Sequence, residues 1–213
     1  MFHPPGRTSP ARPRDTGRMA TVLLFHSVLG LRPVELQAAE RLRADGHDVT
    51  TPDLYDGRTA ETLDDGFALN RAAGRDTLVE RALSAAATQP DDAVLAGVSM
   101  GASVVRTLLP HRPHTAGVLA LHALPGRPET VRDDLPVQIH VADPDPFVPP
   151  ADLAAWQHAA STAAPEPSAT DVHTHPGLAH FFTDPASAGY DPAAAALTWQ
   201  RAARFLAGLG STR

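Results

Sequence analysis

The sequence predicts an α/β fold, with a mostly parallel central sheet and helices on both faces. Short apolar runs of strand length alternate along the chain with longer segments of helical period. Glycine or proline punctuates most boundaries between them. One strand-to-helix junction, Ala96-Gly97-Val98-Ser99-Met100-Gly101-Ala102, sets a serine between two glycines, where parallel sheets place their ligand sites.

Thr21 to His26 (TVLLFH) has the continuous apolar character of a buried parallel strand. Arg32 to Asp45 carries Val34, Leu36, Ala38, Ala39 and Leu42 at helical spacing, and Gly46 stops it. His47 to Leu54 reads as a second strand ending in a Pro-Asp turn. Tyr55 to Gly74 is polar and broken by glycine, which predicts a loop with at most a short helix. Arg75 to Thr88 is a helix closed by Gln89-Pro90, and Asp92 to Val98 is a third strand. Ala102 to Leu109 is a helix ended by Pro110. Ala116 to Ala123 and Pro136 to Ala142 are the fourth and fifth strands, followed by a helix over Ala151 to Ser161. Ser168 to His175 is a weak sixth strand. Pro192 to Leu209 is a long alanine-rich helix that turns Leu197, Trp199, Phe205 and Leu206 toward the core. Right-handed crossovers put the helices on both sheet faces. There is no internal repeat, and Ala163 to Ala169 (AAPEPSA) is a short loop, not a linker, so residues 19–213 are expected to form a single domain.

Composition narrows the function. The 213 residues suffice for one sizeable core, and 43% hydrophobic with 20% charged residues is ordinary for a globular protein. A net charge of -6 argues against a nucleic-acid or anionic-membrane partner. All 18 basic residues are arginine, a compositional bias with little functional content. The absence of cysteine removes disulfides, thiolate metal sites and a thiol nucleophile. No apolar run approaches the ~20 residues of a membrane span. Residues 1–18 hold four prolines and lack an apolar signal core, so they read as a disordered leader or an overextended start before Met19, and a cytoplasmic location is the default.

Gly97-Val98-Ser99-Met100-Gly101 fits G-x-S-x-G, the tight strand-to-helix turn that projects a serine hydroxyl at the top of a sheet. The glycines admit a turn too close for side chains. The following helix points its amino end at the site, and the Met100 N–H is placed to donate to an oxyanion. A serine hydroxyl needs a base, oriented in turn by a third group. With this turn the chain order is serine, acid, histidine. Past the fifth strand, Asp145 is favoured as the acid because it lies further beyond the strand end. Asp143 is the alternative. His180, in the loop after Pro176-Gly177 and followed by Phe181 and Phe182, is favoured over His175 and His173 as the base. His26 and His122 end strands and are expected to line the pocket, with Tyr55 and Phe182 from the flanking loops. The plain reading of His47, His111, His114, His122, His140 and His158 is surface or strand-end filler. Two rival readings use the same residues. One is a metal-dependent hydrolase with zinc on His173, His175 and His180. The other is a non-catalytic binding protein on this fold. The serine reading absorbs these residues without a metal or organic cofactor, and no H-E-x-x-H helix exists.

The segments VLLFHSVLGLRP (from Val22), AAERLRADGHDVTTPDLYDGR (from Ala38), AGVSMGA, DPFVP (from Asp145) and HPGLAHFF (from His175) occur in order between about Thr21 and Leu209. Together they resemble the dienelactone hydrolase family of α/β-hydrolases, with serine as the nucleophile. The resemblance implies hydrolysis of small carboxylic esters or lactones through an acyl-enzyme on Ser99. It places the family acid at Asp145, three residues before Val148-Pro149, and the family histidine at His180. It puts the second oxyanion donor at the backbone N–H of Val28. It also marks departures. Many members carry a cysteine nucleophile and a glutamate after the first strand; here these positions are Ser99 and Ser27, the latter a pocket candidate. Members that cleave dienelactone hold the substrate carboxylate with arginines, one of them four residues after the histidine. That position is Asp184, which would repel an anionic substrate. Arg32, Arg58 and Arg71 are either anion contacts or plain surface arginines. The expected partner is a small-molecule ester or lactone, and the expected assembly a monomer or homodimer.

Overall fold

A computed structural model describes residues 19–162 and 170–209 of the chain. The expected leader (1–18) and the Ala163–Ala169 loop lie outside the described residues. The strands are β1 (Thr21–Phe25), β2 (Asp48–Thr50), β3 (Val94–Val98), β4 (Val118–Leu121), β5 (Val137–Asp143) and β6 (Thr170–Pro176). They form one sheet in the order β2-β1-β3-β4-β5-β6, and every pairing is parallel. The helices are α1 (Pro33–Ala44), α2 (Leu63–Ala73), α3 (Arg75–Ala87), α4 (Met100–Leu108), α5 (Pro150–Thr162) and α6 (Pro192–Leu209).

Strand alternation divides the core into two layers. Val22, Leu24, Val94, Ala96, Leu119 and Leu121 pack with Ala39 and Leu42 of α1 and Trp199 and Leu206 of α6. Leu23, Phe25, Leu95, Val118, Ile139 and Val141 pack on the opposite face with Leu78 of α3, Val105 and Leu108 of α4 and Trp156 of α5. Because β1 lies between β2 and β3, the winding direction reverses at β1/β3, and a crevice opens at the carboxyl ends of those strands. The segments that follow β1 and β3 carry Val28 and Ser99.

Two elements differ from the sequence reading. The second strand is only three residues long, because it pairs with β1 alone at the sheet edge and its chain leaves after Thr50. Within the segment expected to be a loop lies α2, of 11 residues. Thr62 caps it by accepting the Asp65 N–H, with Asp64 and Asp65 in its first turn. Only Gly66 is buried along it, and that burial is forced by close approach: a Cβ there would lie 2.9 Å from the Val28 carbonyl oxygen.

The β5/β6 edge carries a polar stripe on the α6 side. Gln138 pairs in register with Asp171, His140 with His173, and Ala142 with His175. His140 Nε2 bonds Gln138 Oε1 (3.1 Å), and the His140 and His175 rings lie 5.8 Å apart. Burial chiefly pushes the imidazoles down, His140 to about 2, His175 to about 4 and His122 to about 3. For His140 the neighbouring His173 and His175 add to the effect, and for His175 Arg201 adds to it while Asp191 opposes it. In the unfolded chain each ring titrates near 6.5, so the unfolded state binds more protons below that value. The stability these rings leave intact at neutral pH is therefore lost as pH falls from about 6.5 toward 4, with a slope of up to roughly 4 kcal/mol per pH unit if all three contribute. Thermal unfolding midpoints are expected to drop by several degrees between pH 7 and pH 5, and less steeply in a His140→Gln variant. A flat profile would show that the three rings are solvated.

Candidate active site

The junction of β3 and α4 is shaped by contacts that exclude side chains. A Cβ on Gly97 would lie 2.2 Å from the Gly101 carbonyl carbon, and one on Gly101 would lie 2.4 Å from the Phe25 carbonyl oxygen. With the chain held this close, Ser99 takes φ 51 and ψ -109, a left-handed conformation unfavourable for a residue with a Cβ. Its backbone is fixed on both sides: Ser99 N–H donates to the Leu121 carbonyl (2.7 Å), and the Ser99 carbonyl accepts the Ala102 N–H (2.9 Å).

The structure brings Ser99, His180 and Asp145 together from three separate loops. Ser99 Oγ lies 2.9 Å from His180 Nε2. His180 Nδ1 lies 2.8 Å from Asp145 Oδ2 and 3.0 Å from Oδ1. A carboxylate only accepts, so Nδ1 carries the proton and Nε2 presents its lone pair to the serine hydroxyl. Asp145 is buried, and its Oδ1 also accepts the Phe147 N–H (2.9 Å). Asp143, the alternative acid, is exposed at the end of β5 and meets the histidine loop only through its carbonyl, which accepts the Gly177 N–H.

The two amides expected to bind an oxyanion are both unengaged. Neither Met100 N–H nor Val28 N–H donates to any group among the described residues. Val28 and Leu29 pack with Phe181, Met100 and Val98, which sets the loop after β1 against the start of α4.

The expected pocket lining is the part the structure corrects. His26, Ser27, Tyr55, His122 and Phe182 are each at most 1% exposed; of these, His122 alone borders a small cavity, with Val98, Phe181 and Thr183, and the other four are packed in the interior. His26 Nδ1 donates to the Ser27 carbonyl (2.7 Å) and Nε2 accepts the Leu54 N–H (3.0 Å), tying β1 to the segment after β2. Ser27 donates to a carboxylate that the sequence reading passed over, Glu35 (2.8 Å). The Tyr55 hydroxyl bonds the Met100 sulfur (3.2 Å) and accepts from Asn70 (3.3 Å), so it supports the wall from behind. His122, at φ 62, bonds Thr183 Oγ1 (2.6 Å) and meets the His180 ring edge-on at 5.9 Å. Phe182 stacks on His175 at 4.3 Å. These residues form the layer beneath the site.

Three further expectations also change. Arg32 is not a free anion contact: its Nη2 lies 2.7 Å from Asp184 Oδ2, and Asp184 is buried in that pair and does not face an incoming substrate. Arg58 donates to the Tyr55 carbonyl (3.1 Å). His173 meets Asp171 (2.8 Å) and His175 stacks on Phe182, so neither joins His180. Among the described residues no cluster of three or more His, Asp or Glu is placed to hold a metal ion.

Two exposed rings near His180 were not singled out in the sequence. Phe147 is 45% exposed and its ring lies 4.7 Å from His180; Phe67 of α2 is 38% exposed and lies 6.0 Å from Phe147. Phe147 had a signal, since it falls two residues after the acid. Phe67 had none once its segment was read as loop.

This geometry, at the carboxyl ends of an all-parallel sheet with helices on both faces, is that of an α/β-hydrolase. The chain belongs to the dienelactone hydrolase family, whose family model matches residues 7–209. No curated protein matches it. Among solved structures it is similar to a dienelactone hydrolase-like promiscuous phosphotriesterase from metagenomic libraries, with 21% identity, a TM-score of 0.65, and coverage of 91% of this chain and 87% of that one. It is also similar to a dienelactone hydrolase from Anabaena variabilis, at 18% identity and TM-score 0.57 over 89% of this chain and 86% of that one. A third similar structure is an esterase, at 16% identity and TM-score 0.56 over 91% of this chain and 94% of that one. At these identities the structures speak to the fold alone, and family membership makes the chain a hydrolase.

The contacts at the elbow carry a direct prediction. Gly97→Ala forces a methyl into backbone that cannot retreat, so it should destabilise by about 3 kcal/mol or more. Denaturant unfolding of the purified variant checks this; a loss below about 1 kcal/mol would mean that the strand-to-helix packing is loose.

Proposed function

We propose that the protein hydrolyses small carboxylic esters or lactones through an acyl-enzyme on Ser99. The observation that carries the reading is the line from Ser99 Oγ to His180 Nε2 (2.9 Å) and from His180 Nδ1 to Asp145 (2.8 Å). As the hydroxyl attacks the carbonyl carbon, His180 takes its proton on Nε2, and Asp145 holds the tautomer and stabilises the imidazolium. The oxygen of the tetrahedral intermediate receives the amides of Met100 and Val28, which have no other partner to leave. His180 then returns the proton to the leaving alkoxide, and the alcohol departs. Water attacks the acyl-enzyme by the same route in reverse, and no step needs a metal or cofactor.

Serine suits this arrangement. An alcohol depends on an adjacent neutral imidazole, and Asp145 supplies the orientation that imidazole needs. The exposed rings of Phe147 and Phe67 offer an apolar wall beside the base, which fits an aryl or short alkyl group better than an anionic one.

On p-nitrophenyl acetate, Ser99→Ala and Asp145→Asn are each expected to lower kcat by about 10⁴-fold or more without loss of fold. Full activity in a folded Ser99→Ala protein would sink the mechanism. A fluorophosphonate that labels Ser99 separates an enzyme from a binding protein of the same fold. Phe147→Ala should raise KM for aryl esters about fivefold, corresponding to roughly 1 kcal/mol of lost ring contact, with kcat nearly unchanged.

A further inference from the structure

We propose that Glu35, a buried carboxylate on α1 outside the Ser99–His180–Asp145 set, is the positioning residue of the oxyanion loop, and that Arg32 and Asp184 couple that loop to the histidine loop. The proposal rests on reading Val28 N–H as an oxyanion donor.

Glu35 is 2% exposed. Its Oε1 accepts the Ser27 hydroxyl (2.8 Å) and the Ser27 N–H (3.4 Å), and its Oε2 accepts the Arg32 N–H (3.1 Å). One carboxylate thus spans residues 27 to 32, both ends of the loop that carries Val28. The hold is extended inside the loop: Ser27 Oγ accepts the Leu29 N–H (3.3 Å), and the Ser27 carbonyl accepts the Gly30 N–H (3.1 Å). The amides of Ser27, Leu29, Gly30 and Arg32 are engaged; those of Val28 and Leu31 have no partner among the described residues, and of these two Val28 is the one packed with Met100 at the start of α4.

Helix capping does not explain this arrangement. As the third residue of α1, Glu35 needs only one oxygen for the N–H of the capping residue, Arg32. The other oxygen reaches eight residues back to Ser27, off the helix. Burying a carboxylate is costly and leads to no gain unless its hydrogen bonds are met, so three convergent donors mark a place where loop geometry is specified.

The coupling runs through Arg32. Its Nη2 contacts Asp184 Oδ2 at 2.7 Å, and it lies 3.7 Å from Glu35 Oε1. Asp184 sits four residues after His180, and its Oδ1 accepts the Ala186 N–H (2.8 Å), which stiffens the histidine loop. The donor to the oxyanion and the base that moves the proton are thereby held by one buried ionic chain.

Glu35→Gln tests the proposal. Glutamine keeps the shape but turns an N–H2 group toward a donor at Ser27 or Arg32. Amide hydrogen exchange of residues 27–32 is expected to speed up about tenfold, the equivalent of one weakened buried contact, with thermal stability nearly kept. In the same variant kcat for p-nitrophenyl acetate should fall about 10- to 100-fold with KM within about twofold. Affinity for a boronic acid, which forms a tetrahedral adduct on the serine, should fall by the same factor as kcat. Ser27→Ala removes only the hydroxyl from the same contact and should shift all three readouts in the same direction; it carries the test if Glu35→Gln does not fold. Unchanged exchange in a folded variant overturns the proposal, as does faster exchange with kcat and boronate affinity unmoved. A wild-type protein that neither turns over esters nor labels at Ser99 would remove the hydrolytic mechanism instead, and the exchange measurement would still decide whether Glu35 fixes the loop.

Discussion

The structure turns on how closely α4 approaches β1 and β3. Gly97 and Gly101 are the only residues that fit where strand and helix touch, and the approach they permit forces Ser99 into a left-handed backbone. That strain is balanced by the sheet: the serine amide is bonded to β4, and its carbonyl to the first turn of α4. Everything else in the site is arranged relative to this one fixed hydroxyl. The loop after β1 abuts it because Gly101 lies against the Phe25 carbonyl. The loops after β5 and β6 reach it because all strands run the same way and end on the same rim.

The fold was legible because its signals were local. Apolar runs of strand length and helices closed by Gly or Pro sit where the sequence places them, and Ser99, Asp145 and His180 follow chain order. What was not legible depends on side-chain direction. His26 and His122 end strands as expected, but one turns back to tie the chain after β2, and the other lies under the histidine loop. Tyr55 and Phe182 are large enough to be absorbed by the core, and they are. The helix α2 escaped notice because glycine and two aspartates interrupt it. Those same residues serve it, the aspartates in its first turn and the glycine at its contact with Val28. Glu35 stands three, four and seven residues before Ala38, Ala39 and Leu42 of α1, so its spacing does place it on the buried face; its charge is what kept it from being read as an inward residue.

The departures from the family pattern gain a physical sense together. Where the cysteine members resemble this chain but carry a glutamate after the first strand, Ser27 stands instead, and its hydroxyl is bonded to a carboxylate that comes from α1. Where the dienelactone-cleaving members carry an arginine after the histidine, Asp184 stands, and an arginine from the other loop meets it. Acidic and basic groups persist in this neighbourhood, but they are turned inward to hold loops, and the exposed ring beside His180 is that of Phe147.

Asp145 and Phe147 belong to a single short turn, in which the carboxylate that steadies the imidazole also accepts the amide of the residue bearing the exposed ring. Under the proposed mechanism, the acid and the exposed ring beside the base therefore share one turn. By the same mechanism, an insertion between the two residues would shift the wall and re-aim the base together. Phe67 comes within 6.0 Å of Phe147 from α2, so the second ring of that wall can change size without disturbing the turn that holds the imidazole.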